Sequence, residues 1–242
     1  MKICIAQTRP IKGDIVFNSE KHKVFIETAS SLKATSIFFP ELSLTGYEPE
    51  LAKDLAIYQD DSRLNGFQQI SDTNKITIGL GIPTKTATGI QISMIVFQPD
   101  RPRLTYSKQQ LHPDEFPYFE NGDRQLFLNI DNKIIVPAIC FESLQTDHSE
   151  EASKLGAEIY VASVAKSEMG VNKAMKHYPM VAKKFSMPVL MSNSVGYCDN
   201  FESVGQSAIW TKHGNLAGQL DDFNEGLLIF DTETEEVIKH IL

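Results

Sequence analysis

The sequence predicts an α/β protein whose mixed β-sheets are covered by helices, and three observations carry that reading. Hydrophobic residues make up 42% of the 242 and charged residues 22%, ordinary usage for a globular chain. Strand-like runs, about a dozen, are interleaved with four helical stretches over the whole length. Both tight turns and helices connect the strands, so antiparallel and parallel pairs share the sheets and the helices form outer layers. A chain of this length buries roughly 70–75% of its unfolded surface. No repeat, low-complexity tract or Gly/Ser linker divides it, so one domain over residues 1–242 is expected.

The elements follow in order. Lys2–Gln7 alternates and ends near Pro10, a first strand, and Gly13-Asp14 turns the chain. Over 18–32, Val24, Phe25, Ala29 and Leu32 recur at helical spacing, with Asn18 or Ser19 as N-cap. Residues 36–39 form a short strand stopped by Pro40, and 62–70 a helix with Leu64, Phe67 and Ile70 on one face. Strands are expected at 75–82, 90–98, 104–107 and 125–130, and at 134–140 despite Pro137. A helix at 149–155 and a strand at 158–163 come next. The helix at 171–185 should be kinked or split by Pro179. Its Met175, Tyr178, Met180, Val181 and Phe185 exceed one narrow stripe, and that surplus is one ground for expecting a homodimer. A strand at 188–193 precedes two more, 206–211 and 216–220, which flank the hairpin signal His213-Gly214-Asn215. Residues 226–230 close the chain; Trp210 is expected in the core, and Asp221, Asp222 and 233–236 in solvent.

Composition excludes several classes of function. With 31 acidic against 23 basic residues the net charge is −8, the wrong balance for a nucleic-acid partner. No stretch approaches the roughly 20 apolar residues that cross a bilayer, so no membrane partner is expected. The opening MKICIAQTRPIKGD has an apolar run too short for a signal peptide. Cys4, Cys140 and Cys198 stand far apart and fit neither a disulfide scaffold nor a CxxC zinc site. The histidines lack ligand spacing such as HExxH, so no metal is expected. The expected location is the cytoplasm.

Three strand ends carry an ionisable residue directly after a buried-looking run. Residues 37–40 lead into Glu41, 104–107 into Lys108 and 134–139 into Cys140. Ligand sites in α/β proteins lie at strand carboxyl ends, where a carboxylate, an ammonium and a thiol could share one pocket. Each alone has a plainer reading: cysteine is commonly core, and a charged residue at a strand end is commonly the first solvated one.

The surrounding stretches change that balance. FFPELSLTGYEP (38–49), YSKQQLHPDEFPYFENG (106–122) and PAICFES (137–143) place Glu41, Lys108 and Cys140 at separations of 67 and 32 residues. In order and spacing they resemble the three catalytic signatures of the nitrilase, or carbon–nitrogen hydrolase, superfamily. KICIAQ with Gly13-Asp14 and Asn18, Ala162-Ser163, Asn193…Gly196 and GQSAIWTKHGNLAG (205–218) extend the resemblance over nearly the whole chain. It implies a four-layer αββα sandwich, usually paired into a dimer. It also implies a Glu–Lys–Cys triad of Cys140 as nucleophile, Glu41 as general base and acid, and Lys108 at the oxyanion, with Glu115 as a second glutamate that orients them. The substrate class implied is a small non-peptide amide or carbamoyl compound, handled without a cofactor. The alternative is a non-catalytic or acyl-transferring member that binds a small ligand on the same scaffold.

Chemistry explains the residue types. Free cysteine, with a pKa near ~8.5, is mostly protonated at neutral pH, so a carboxylate within reach has to take the proton during attack. The same carboxylate can protonate the leaving nitrogen and then activate water, which calls for a pKa near the working pH. A fixed ammonium and the N–H of Phe141 suit the oxyanion. Lys108 favours the thiolate, and two carboxylates keep Lys108 charged in a dry pocket. Tyr47 and Phe116 either line the pocket or serve as core or lid. Ser163, Ala165 and Lys166 follow a strand in the region that shapes substrate choice in this family, and Lys166 either meets a substrate carboxylate or is solvated. His112 and His148 leave a Cys–His pair as a rival, with His112 otherwise a pocket-wall or structural residue. Two departures from the family, Ser143-Leu144-Gln145-Thr146 and Met191-Ser192-Asn193-Ser194 in place of arginine-bearing segments, put substrate preference outside the resemblance.

Overall fold

Alternation along the strands sorts the apolar residues into three layers. The computed structural model describes residues 1–242. The chain runs β1 (Lys2–Gln7), α1 (Ile15–Ser31), β2 (Ser36–Phe38), α2 (Ala52–Leu55), α3 (Asn65–Asn74), β3 (Thr77–Lys85), β4 (Ile90–Phe97) and β5 (Leu104–Ser107). It continues with β6 (Leu128–Ile130), β7 (Lys133–Ile139), α4 (Thr146–Lys154), β8 (Ile159–Val164), α5 (Glu168–Phe185) and β9 (Val189–Asn193). The last elements are β10 (Val195–Cys198), β11 (Phe201–Val204), β12 (Ala208–Trp210), β13 (Leu216–Gln219), β14 (Gly226–Asp231) and β15 (Val237–Ile241).

One sheet has the order β15-β14-β1-β2-β3-β4-β5 and the other β13-β12-β9-β8-β7-β6. In each, three central strands are parallel (β1-β2-β3 and β7-β8-β9) and the flanking strands antiparallel. Ile3 and Ile5 face the opposite sheet, meeting a layer that includes Ile135, Ile159 and Val161. Cys4 and Ala6, one residue out of phase, pack instead beneath α1 with Phe25, Ile26 and Ala29. On the second sheet Val136, Tyr160 and Ala162 lie under α4 and α5 with Ala152, Tyr178 and Val181. The period of two along a strand therefore generates the αββα layering directly.

Four expectations are corrected. Asp14, not Asn18 or Ser19, caps α1, its Oδ1 accepting from the Phe17 N–H at 2.9 Å. Asn18 lies inside the helix and fully buried, donating to Ile11 O at 2.8 Å and Leu44 O at 3.0 Å, so it ties the helix to the loop after β2. The chain does not close at 226–230: residues 233–236 form a turn and β15 pairs antiparallel with β14. Lys239 and His240 interrupt the apolar pattern there because β15 is an edge strand. The hairpin β10–β11 was not expected: VGYC and FESV are only four residues each, and Gly196 interrupts the first. Pro179 sits within α5 and the helix is continuous from Glu168 to Phe185. Of the apolar residues that suggested a dimer face, Tyr178 and Val181 serve the protein's own core, Met175 and Phe185 are half-buried, and Met180 is exposed. No helix is long and apolar enough to cross a membrane.

The carboxyl ends of the two parallel triads are stitched together. The Ser163 hydroxyl donates to Phe39 O at 2.6 Å and the Ser192 hydroxyl to Ala6 O at 2.6 Å, each from one sheet to the other. The turn carrying Glu41 is pressed onto β3 at Gly81, where a Cβ would stand 2.3 Å from Pro40 O and 2.4 Å from Leu42 N. Gly81→Ala should therefore force that turn off the sheet and destabilise the protein by about 1–3 kcal/mol, the usual range for overpacking. A urea melt unchanged in midpoint would show that the turn yields without cost.

Candidate active site

Glu41 follows β2 and Pro40, on a turn whose next residue, Leu42, adopts φ +50°. His22 stacks on Phe39 at 4.1 Å and bonds Ser43 Oγ at 3.0 Å, fixing the turn from behind. The Glu41 side chain is buried; Oε1 accepts from Lys108 Nζ at 2.8 Å, while Oε2 has no partner. Burial raises its pKa most, the Lys108 charge opposes that, and the Glu115 charge adds to it. The balance lies above the ordinary carboxylate value.

Lys108 directly extends β5, its N–H donating to Ile92 O at 2.9 Å and its carbonyl accepting from the Gly122 N–H at 2.7 Å. The side chain is 0% exposed, and Nζ also donates to Glu115 Oε1 at 2.7 Å. Burial alone would discharge it, but the Glu41 and Glu115 charges outweigh burial and raise its pKa. Glu115 is itself fully engaged: Oε1 accepts from the Tyr47 hydroxyl at 2.9 Å and Oε2 from the His112 N–H at 2.7 Å. Tyr47 stays a neutral donor, its pKa raised by burial and by the charges of Glu41 and Glu115.

Cys140 occupies the turn after β7 at φ +46°, a left-handed conformation that favours glycine and strains a residue with a side chain. Its N–H donates to Ser163 O at 3.0 Å and its thiol to Ala165 O at 3.6 Å. Lys166 Nζ stands 3.7 Å from the sulphur. Burial and the Glu41 charge push the thiol up to about 11, against Lys166 and Lys108, which lower it. Lys108 thus favours the thiolate as expected in sign, but burial decides, and the resting sulphur is protonated at neutral pH.

The structure brings Glu41, Lys108, Glu115, Cys140, Tyr47, Ala165 and Lys166 together. Phe141 adjoins Cys140, with its ring edge-on to His112 at 5.2 Å. Phe116 is 58% exposed, and Ser163 spends its hydroxyl on the inter-sheet bridge, so it is a brace. Lys166 is not a solvated surface lysine; it is buried. Neither candidate histidine partners the thiol: His112 pairs with Asp114, and the His148 ring bonds Tyr106 and Tyr160. No group of three or more His, Cys, Asp or Glu side chains is placed to hold a metal ion.

Sequence reasoning missed Glu142. Its Oε1 accepts from Tyr106 OH and the Ile139 N–H, and Oε2 from the Gln109 N–H, all at 2.6 Å. One carboxylate thereby locks the Lys108 strand end to the Cys140 turn. The E of ICFE was in view, but nothing in the chain names donors more than 30 residues upstream. Burial raises Glu142 to about 7, opposed by hydrogen bonds from Tyr106, Ile139 and Gln109. Its folded pKa exceeds its unfolded value, so the stability it contributes is whole below about 4.5 and is lost as pH rises through about 7. Glu142→Ala should lower stability at pH 5 by on the order of 3 kcal/mol, because several buried donors lose their acceptor at once. Denaturant melts at pH 5 and pH 8 should show the deficit shrinking at the higher pH; an equal deficit would mean that Glu142 does not titrate there.

Comparison with known proteins bears on the family and the fold. A family model described as Carbon-nitrogen hydrolase matches residues 2–239. The glutamine-dependent NAD(+) synthetase of Acinetobacter baylyi is 26% identical over 244 residues, covering 97% of this chain and 44% of that protein. The corresponding synthetase of Thermotoga maritima is 24% identical over 249 residues, with 99% and 43% covered. The chain thus spans less than half the length of these curated relatives. Among solved structures, a cysteine-to-alanine mutant of the amidase from Nesterenkonia sp. AN1, in complex with butyramide, superposes with a TM-score of 0.86 at 20% identity, covering 97% of this chain and 92% of that one. A glutamine-dependent NAD+ synthetase from Acinetobacter baumannii superposes at 0.81 with 22% identity, over 98% of this chain and 46% of that one. At such identities the structures establish the αββα fold, and the family match over nearly every residue establishes the rest: the chain belongs to the carbon–nitrogen hydrolase family.

Proposed function

We propose that this protein hydrolyses a small non-peptide amide or carbamoyl compound through a thioester on Cys140. The observation that carries the reading is Glu41 itself: one oxygen is held by Lys108 at 2.8 Å, and the other is buried without a partner, in a carboxylate near enough to Cys140 for its charge to raise the thiol's pKa. The resting thiol is neutral, so Glu41 takes its proton as sulphur bonds to the carbonyl carbon. The oxyanion forms against Lys108 Nζ and the Phe141 N–H, since donors fixed before charge develops stabilise it without reorganisation. Glu41 returns the proton to the nitrogen, the C–N bond breaks, and ammonia or an amine leaves. Glu41 then deprotonates a water that attacks the thioester, releasing the acid and restoring the thiol. The butyramide held by the Nesterenkonia amidase supports an amide substrate, and the glutamine dependence of the synthetases supports ammonia as the released group.

A panel of simple amides including butyramide and L-glutamine, carbamoyl compounds and nitriles, assayed for ammonia release, tests the activity. Intact mass spectrometry with a slowly turned-over member should show an acyl adduct on the Cys140 peptide, absent in Glu41→Gln. An adduct on Cys198, with Cys140→Ala still active, overturns the assignment. No ammonia from the panel, with equally slow labelling of all three cysteines, would instead leave a ligand-binding protein. The pH profile is a separate check. Because Glu41 has to be ionised to act as base, kcat/KM should rise with pH through its raised pKa. It should then stay level through pH 9, since the thiol ionises only at about 11. A rise centred near 8.5, the value of an ordinary thiol, would mean that a preformed thiolate attacks.

A further inference from the structure

Two lysines are buried in this protein, and they are treated differently. Lys108 is bracketed by two carboxylates. Lys166, 5% exposed, takes part in no ion pair. Its Nζ faces Cys140 alone, 3.4 Å from the carbonyl oxygen and 3.7 Å from the sulphur, both long for bonds from an ammonium with three protons to place.

The position is built rather than incidental. The Lys166 N–H donates to Asn193 Oδ1 at 2.9 Å, and its carbonyl accepts from the Val204 N–H at 3.1 Å and from Ser203 Oγ at 3.2 Å. On the other side Gly170 leaves room for the stem, since a Cβ there would lie 3.1 Å from the Lys166 Cβ. The hairpin β10–β11 and the end of β9 thus fix the backbone from which the ammonium reaches the nucleophile. A buried cation without a counter-charge costs free energy that a methionine of similar length would avoid. Its charge is felt at the Cys140 sulphur and at His177.

We propose that Lys166 selects amides carrying a carboxylate close to the scissile carbonyl, binding that carboxylate while Cys140 attacks. The inference rests on the amide-hydrolysis reading above. With Nζ 3.7 Å from the sulphur, an oxygen bonded to it at about 2.8 Å lies no more than roughly 6.5 Å from Sγ. That reach admits monoamides of short dicarboxylic acids, with at most two methylene groups between amide and carboxylate: oxamate, malonamate and succinamate. L-Glutamine, with three carbons between the two groups, has to fold its chain to stay within it, at a greater cost in chain freedom than the shorter monoamides. Hydrolysis would break the C–N bond, transfer water oxygen to the acyl carbon, release ammonia and leave a dicarboxylate.

Two measurements test this independently. In the first, Cys140 is alkylated with iodoacetate and with iodoacetamide, which share a leaving group and differ in whether a carboxylate or a carboxamide sits beside the reacting carbon. The ratio of rate constants at the Cys140 peptide, followed by mass spectrometry, should fall at least about tenfold from wild type to Lys166→Met, as loss of a charged hydrogen bond predicts. Lys166→Arg should retain most of it. If Lys166→Met slows both reagents equally, Lys166 acts on the sulphur alone and the proposal is wrong. In the second, ammonia release is compared for succinamate and its neutral isostere 4-oxopentanamide. Wild type should favour succinamate by roughly 10²-fold in kcat/KM, and Lys166→Met should lose that preference. Ammonia from neutral amides with no preference for the anion removes the anion site and leaves the hydrolase reading intact. Anion-selective alkylation with no ammonia from any amide removes the hydrolase reading and leaves the anion site.

Discussion

A single ammonium, Lys108 Nζ, held between Glu41 and Glu115, is the constraint to which the surrounding loops answer. Moving such ions out of water carries an effective penalty of several kcal/mol each, offset only when geometry is close and the remaining lone pairs are satisfied. Here the contacts are 2.7 and 2.8 Å, and Glu115 spends both oxygens on three donors, Lys108, Tyr47 and the His112 backbone. Two segments far apart in the chain, 41–47 and 108–115, are thereby held in one place. The one oxygen left over belongs to Glu41. A buried acceptor without a donor is unfavourable in a resting fold, and at this position it is what a base requires.

The sheets provide the rigidity this arrangement needs. Parallel triads in both sheets end at the same edge, where Ser163 and Ser192 bridge them and the Gln7 side chain accepts from the Ser207 N–H at 2.9 Å. Against that frame two residues at the site, Leu42 at φ +50° and Cys140 at φ +46°, are held in a region non-glycine residues rarely enter. One follows Glu41 and the other carries the thiol. Strain of this kind persists where the surroundings over-determine it, and both turns are fixed from two sides, by Gly81 and His22 in one case and by Glu142 and Ser163 in the other.

Much of this was legible in the chain, for identifiable reasons. The layers follow from alternation such as Ile3/Cys4/Ile5/Ala6, which needs no partner to be read. Glu41, Lys108 and Cys140 stood out because each closes an apolar run and because the three runs match a family pattern in order and spacing. What stayed hidden depends on contacts across long separations. Asn18 looked like a cap because its residue type suits one, whereas its amide serves Leu44, 26 residues away. Glu142 and Ser163 announce polar chemistry, but whether that chemistry is spent on substrate or on the backbone of another segment is decided by the fold. Lys166 shows the same ambiguity resolved the other way: as a string it reads equally as surface, and only Asn193, Ser203 and Gly170 turn it inward.

Charge conservation explains why the proposed reaction suits a site this dry. In the resting state Glu41 and Glu115 are negative, Lys108 is positive, and the thiol is neutral. When Glu41 takes the thiol proton and the carbonyl oxygen becomes negative, Glu41 is neutral and the oxyanion carries the charge it gave up. The net charge around Lys108 is the same before and after, so no ion has to be created in a low-dielectric pocket, which would be far more costly than moving one. Burial raises the pKa of the thiol and of Glu41 in the same direction, so it does not by itself widen the gap the proton crosses. Lys108 holds Glu41 ionised while the carboxylate is needed as base, and its ammonium is released to the oxyanion when that role ends. A neutral residue in its place would require charge to appear unassisted, and an exposed lysine would surrender it to water.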